Sequence, residues 1–229
     1  MSADAQRRST RDRPAKAPLS VDAVVDAGLR VLKADGLEAV TMRRVAAELD
    51  TGPASLYVYV ANRDELCTAM LDRVIGTIDT EPPDARRWRE QVHRLMNAMV
   101  AAMQAHPGIA RVALANIPTS GNALAGAESM LAILRAGGIA DQPAAWACDI
   151  LPLLATATAI EGDIYASRED GETEEEAIAR VSAAFGSLPP ERFPNLSALS
   201  GELTSGSGEQ RFTFAVDCML DGLLAASRP

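Results

Sequence analysis

The side chains best equipped for chemistry lie between Val40 and Leu66, in "VTMRRVAAELDTGPASLYVYVANRDEL". Ser55, Tyr57 and Tyr59 set hydroxyls and aromatic rings along a short segment that opens on Pro53 and Ala54. Thr41, Arg43 and Arg63 flank it. The chemistry on offer is recognition. A helix of seven or eight residues with an aromatic and hydroxyl outer face fits the major groove of DNA. Catalysis has no comparable foothold, because the chain contains no GxGxxG, GxxxxGK[ST], HExxH or GxSxG. Glu161 and Asp163 stand two apart in a helical pattern and point in different directions, which makes a poor acid/base pair. Cys67, Cys148 and Cys218 are far apart and lack metal-ligand spacing, as expected of reduced thiols in a cytoplasmic protein. No enzyme activity, cofactor or metal is expected.

Three helices must position this stretch. Thr41 caps the first, whose Val45 and Leu49 share an inner face beside the small Ala46. Asp50-Thr51-Gly52 forms the turn, with Gly52 supplying backbone freedom immediately before Pro53. Pro53 suits the first turn of a helix. Leu56 and Val60 then face inward, Ser55 and Tyr59 lie opposite, and Tyr57 falls between. Asn62 with Glu65 reads as a capping box that restarts the chain. Upstream, Ser20 caps a helix whose buried side carries Val24, Gly28, Val31 and Leu32, and Asp35-Gly36 ends it with a left-handed cap.

From about Val21 to Ile75, and above all in "GLEAVTMRRVAAEL" and "SLYVYVANRDEL", the chain resembles the DNA-binding region of TetR-family transcriptional repressors. Asp50 departs from the family's usual turn glycine, and Thr51 from an aliphatic residue. The resemblance implies a homodimer on a palindromic double-stranded operator, released by a small molecule. Matched position by position, it makes Arg43 the base reader. Pro53, Ala54 and Ser55 would meet base edges or thymine methyls; Tyr57, Tyr59, Arg63 and Thr41 would touch phosphates. Packing between helices is the other reading of the tyrosines. The ending "PERFPNLSAL…FTFAVDCMLDGLLA" is similar, more loosely, to the ligand-binding domain of the subgroup named for the tetracycline repressor. That likeness implies a four-helix bundle built from residues about 143–168 and 210–226 of each subunit, and a drug-like or metabolite inducer. "GIARVALANIPT" has no histidine where the tetracycline repressor has a magnesium-related one, so a tetracycline–magnesium ligand is not expected. The rival reading is a ligand-binding helical protein of the same fold that no longer reads DNA specifically.

Composition agrees with an all-α chain. Of 229 residues, 48% are hydrophobic and only 4% aromatic, and alanine and leucine lead the apolar set. No run of about 18 uncharged apolar residues appears, and the start of the chain is basic and polar, so neither membrane span nor signal peptide is expected. The net charge of −9 is unevenly spread. Residues 1–70 carry ten basic and ten acidic side chains; the remainder carries twelve and twenty-one. The acid excess thus lies outside the DNA-reading region.

The organisation expected is a basic flexible arm at 1–19, a helix-turn-helix domain at 20–66, and a ligand-binding and dimerisation domain at 67–229, joined through a shared fourth helix. The arm is either a phosphate or minor-groove contact or a solvated tail. A helix at about 84–106 carries Met96, Met99 and Met103 on a broad apolar face, either pocket or ordinary core. His93 and His106 on it read as surface or end-capping groups. Further helices are expected at about 122–136, 143–168 (kinked at Pro152), 174–185 and 210–226, with 186–209 rich in loops. The candidate ligand-lining residues are Met96, Met99, Met103, Asn116, Met130, Leu134, Trp146 and Glu161.

Overall fold

The computed structural model describes residues 18–115, 119–167 and 173–228, which are helical with no strand among them. The expected arm at 1–19 therefore falls almost wholly outside the described residues.

Helix α1 (Val21–Asp35) is capped by the Ser20 hydroxyl, which accepts from the Ala23 amide. Gly36 ends it at φ 82, ψ 172, with the positive φ expected there but an extended rather than left-handed helical ψ. After one 3-10 turn (Leu37–Ala39), α2 (Met42–Glu48) is capped by Thr41 Oγ1 accepting from Arg44 N at 3.1 Å. A 3-10 segment, Pro53–Val58, follows the turn, and α3 (Arg63–Ile75) opens at Asn62, whose Oδ1 accepts from Glu65 N at 2.9 Å. The reciprocal bond of the expected capping box is shifted by one residue: the Glu65 carboxylate accepts from the amide of Ala61. Val24, Val31, Val45, Leu56, Leu66 and Met70 close the head's core. Gly28 lets α3 approach α1, because a Cβ there would stand 2.7 Å from the sulfur of Met70.

The body comprises α4 (Trp88–Gln104), α5 (Ile109–Ala115), α6 (Gly121–Ala136), α7 (Asp141–Ala166), α8 (Glu174–Gly186), α9 (Pro194–Ala198), α10 (Ser200–Thr204) and α11 (Gly208–Ala226). Helix α4 starts later than the 84 expected, since Asp84 instead organises a turn by accepting from the Arg86 amide. Residues 194–204, expected as loop, form the two short helices α9 and α10, which pack with α8. Arg211 holds the end of α10 by donating to the carbonyls of Leu203 and Ser205. Ser207 and Gln210 complete a capping box at the start of α11.

Helix α7 is the centre of the body and contacts α4, α5, α6 and α11. By length and a mean hydropathy of 1.4 it would suffice to cross a membrane, but its inner face is packed as a core helix around Ala147, Leu151 and Ala155. His93 reaches Asp217 on α11 at 2.9 Å, and His106 meets the Ala102 carbonyl at the end of α4. Asp163 accepts from the Gly108 amide at 2.7 Å, so it is engaged away from Glu161. Helix α3 belongs to both halves: it packs on α1 in the head and on α4, α5 and α6 in the body.

Candidate DNA-reading surface and ligand cavity

The turn between α2 and Pro53 is made by a residue other than the expected one. Asp50 takes φ 50, the one positive φ at a non-glycine position among the described residues. Aspartate bears the left-handed region better than most residues with a Cβ. Gly52 is extended at φ −82 and uses none of its extra freedom. The following segment is 3-10 over six residues where an α-helix was expected. Its tighter wind redistributes the side chains. Leu56 and Val60 are buried as expected. Tyr57 is 54% exposed, while Tyr59, expected outward, is partly buried against the core. Val58 is 81% exposed and joins Pro53, Ala54 and Ser55 on the outer surface. It was overlooked because an aliphatic residue inside "LYVYV" reads as core.

The arginines of the head divide sharply. Arg30 pairs with Glu48, Arg44 with Asp35 and Glu48, and Arg73 with Asp22 and Asp26. Hydrogen bonds from Arg30 and then Arg44 hold the Glu48 carboxyl below its ordinary range. Arg63, expected on phosphates, turns inward: Nε donates to Val40 O at 2.7 Å and Nη2 to Leu37 O at 2.9 Å. It ties the start of α3 to the loop that leads into α2. Arg43 is exposed on the second position of α2 and makes no ion pair or hydrogen bond among the described residues. Its guanidinium is the cation of the helix-turn-helix pair left available for an outside partner. Thr41 is exposed, with its hydroxyl committed to the cap.

A cavity of about 280 Å³ lies where α3, α4, α6 and α7 meet. Of the candidate ligand-lining residues, Met99, Met103 and Met130 line this cavity. Met96 and Leu134 are fully buried outside the lining and belong to the core. Trp146 is 66% exposed on the outside of α7, and Glu161 is exposed; neither reaches the cavity. Asn116 falls outside the described residues.

The missed wall is α3, through Thr68, Leu71, Ile75 and Gly76. Its signal is a second apolar stripe at Leu71, Ile75 and Ile78, beside the Leu66–Met70–Val74 stripe, of which Val74 also lines the cavity. Across from it stand Asn122, Ala123 and Gly126 of α6, with Asp149, Pro152 and Thr156 of α7. No aromatic ring lines the cavity among the described residues. Burial pushes the Cys148 thiol up, so this lining sulfur stays protonated at neutral pH. No group of three potential metal ligands occurs among the described residues.

A helix-turn-helix head, joined through one shared helix to a helical body holding an apolar cavity, defines a DNA-binding transcriptional regulator. Residues 24–70 match the family described as bacterial regulatory proteins, tetR family, and residues 81–227 match the tetracyclin repressor-like C-terminal domain. The chain belongs to the TetR family. It is 33% identical over 223 residues to the HTH-type transcriptional repressor DrrR1 of Streptomyces coeruleorubidus, covering 93% of this chain and 82% of that one. Among solved structures, apo ActR from Streptomyces coelicolor is similar at a TM-score of 0.83 and 36% identity, over 92% of this chain and 97% of ActR. ActR in complex with actinorhodin is similar at a TM-score of 0.83 and 36% identity, over 93% and 100%.

Proposed function

We propose that this protein is a cytoplasmic repressor that binds a palindromic operator as a homodimer and leaves it when a small molecule fills the cavity. The observation that carries the reading is the double duty of α3, which packs the helix-turn-helix on one side and walls the cavity on the other. A ligand that binds two head orientations unequally shifts the population between them.

Arg43 reads a base, and Pro53, Ala54, Ser55 and Val58 meet base edges or thymine methyls. Thr41, Tyr57 and Tyr59 contact the backbone and fix register. Arg63 serves recognition indirectly, by holding α3 to the reading elements. The dimer forms through α7 and α11, which leave Trp146, Ile150 and Phe214 exposed on a single subunit. Two heads in such a dimer read half-sites spaced by whole helical turns.

The methionine-walled, ring-free cavity suits an apolar, flat or irregular metabolite, since thioether side chains adapt their shape to a guest. The complex of the similar ActR with actinorhodin supports a small-molecule ligand. Asp50 in place of a turn glycine would favour the rival, a protein of this fold that no longer reads DNA specifically, yet the turn accommodates that residue at φ 50.

Selection of bound DNA from a random pool, repeated with aromatic metabolites added, tests the reading. A palindromic consensus that disappears with one metabolite class is the expected result. Enrichment of no sequence by the purified protein would sink it.

A further inference from the structure

The seam between α3 and α6 carries a clamp built from one carboxylate. Asp72 Oδ1 accepts from the amides of Asn122 at 3.0 Å and Ala123 at 3.1 Å, in the first turn of α6. Asn122 Nδ2 donates back to Asp72 Oδ2 at 3.0 Å and to the Asp72 carbonyl at 3.1 Å. The approach is close one turn on as well, where a Cβ on Gly76 would stand 2.7 Å from Asn122 Nδ2 and displace that side chain. The next residue, Arg73, grips in another direction, pairing with Asp22 and Asp26 of α1. Successive residues of one helix thus fasten the body on one side and the head on the other, because neighbouring positions diverge around a helix.

The cavity is bounded at this same seam. Leu71, Ile75 and Gly76 flank Asp72 in its wall, and Asn122, Ala123 and Gly126 face them. A guest that spreads α3 from α6 therefore strains the bonds at Asp72, where the two helices meet through polar groups.

We infer that the Asp72–Asn122 clamp is the latch that converts filling of the cavity into movement of the DNA-reading head. The inference rests on the repressor reading above and assigns its regulation to named residues. With the latch intact, pressure on α6 drags α3, and α1 follows through Arg73. With the latch cut, α6 yields alone and the head keeps its position.

The test needs no knowledge of the natural ligand, because the cavity can be filled from within. Gly126 lines the cavity, and a Cβ there meets only Ile75 Cγ2 at 4.0 Å, so Gly126→Met supplies a tethered guest. Operator affinity is measured on the full-length protein with DNA selected from a random pool, for wild type, G126M, D72A and D72A/G126M. Filling the cavity should weaken operator binding about tenfold or more with the latch intact, within the usual range of allosteric coupling, and less than about threefold in the D72A background.

Asn122→Ala, which removes only the side-chain half of the clamp, should give an intermediate loss and covers the case of a poorly folded D72A. Equal losses in both backgrounds, or no loss from G126M alone, would overturn the latch. If wild type selects no DNA, the repressor reading fails by itself. The latch is then judged by hydrogen exchange at the Asn122 and Ala123 amides: faster exchange in G126M supports it, and unchanged exchange overturns it.

Discussion

Removing the Arg63 guanidinium separates a structural brace from a phosphate contact. Its two bonds cross 23 and 26 residues of sequence and are partly buried. A hydrogen bond to a charged group contributes about 1.5–3 kcal/mol net. The Leu37 carbonyl keeps a second donor in the Val40 amide, so its loss is discounted, whereas no second donor to Val40 O is seen among the described residues. Arg63→Ala should then cost about 3 kcal/mol. Arg63→Lys, a point charge that cannot fork across both carbonyls, should cost roughly half of that. For a chain of this size about 3 kcal/mol corresponds to a fall in Tm of roughly 6–12 °C, provided head and body unfold together.

The assay pairs thermal unfolding with operator affinity measured across a salt series. A lost phosphate contact lowers the salt slope by about 0.9, while a lost brace weakens binding with the slope unchanged. An unshifted Tm together with a slope reduced by about one unit would refute the brace and return Arg63 to the DNA backbone.

Other perturbations have defined outcomes. Arg43→Ala should leave stability within about 0.5 kcal/mol, since the side chain is exposed and makes no ion pair or hydrogen bond among the described residues, yet lose about 1–3 kcal/mol of discrimination at one operator base pair, read by competition between site variants. Asp50→Val should lower stability by about 1–2 kcal/mol in a urea melt, because a β-branched residue resists φ 50, whereas Asp50→Gly should hold or raise the midpoint. Phe214→Glu combined with Trp146→Glu, at positions 70% and 66% exposed in one subunit, should convert a dimer to monomers in sedimentation velocity. Loss of about 2 kcal/mol per aromatic anchor would raise the dimer Kd roughly 30-fold each.

What was legible in the sequence is what short-range physics decides. Ser20, Thr41 and Asn62 cap the helices they were expected to cap, because a hydroxyl or amide oxygen three residues before an orphan N–H is a local arrangement. The long helices α6, α7 and α11 lie within two residues of their expected starts and ends for the same reason. Arg63 was illegible because its partners lie more than twenty residues upstream. Trp146 was misplaced because α7 is apolar almost all round, so periodicity supplies no inward direction. Residues 194–204 looked like loop by composition, and their short helices depend on packing with α8 and on Arg211 closing α10. Met96 and Met99 share a helix face, yet one is core and the other lines the cavity. That difference is set by where α3, α6 and α7 leave a gap, which no single helix encodes.

Helix α3 is suited to carry a regulatory link because it packs against both head and body. A helix that buried one stripe would be committed to either the head or the body. Helix α3 carries two, Leu66–Met70–Val74 and Leu71–Ile75, the latter continued by Ile78 in the turn beyond the helix, and its polar Asp72 and Arg73 stand on the opposite arc. Both apolar faces are satisfied only when head and body are docked together, so neither half can rotate without exposing part of a core. Movement must then occur as a shift between discrete packings, and the contacts that differ between those packings lie along the seam where the cavity opens. The Asp72–Asn122 clamp stands on that seam, between α6 and the helix that Arg63 ties to the loop leading into α2.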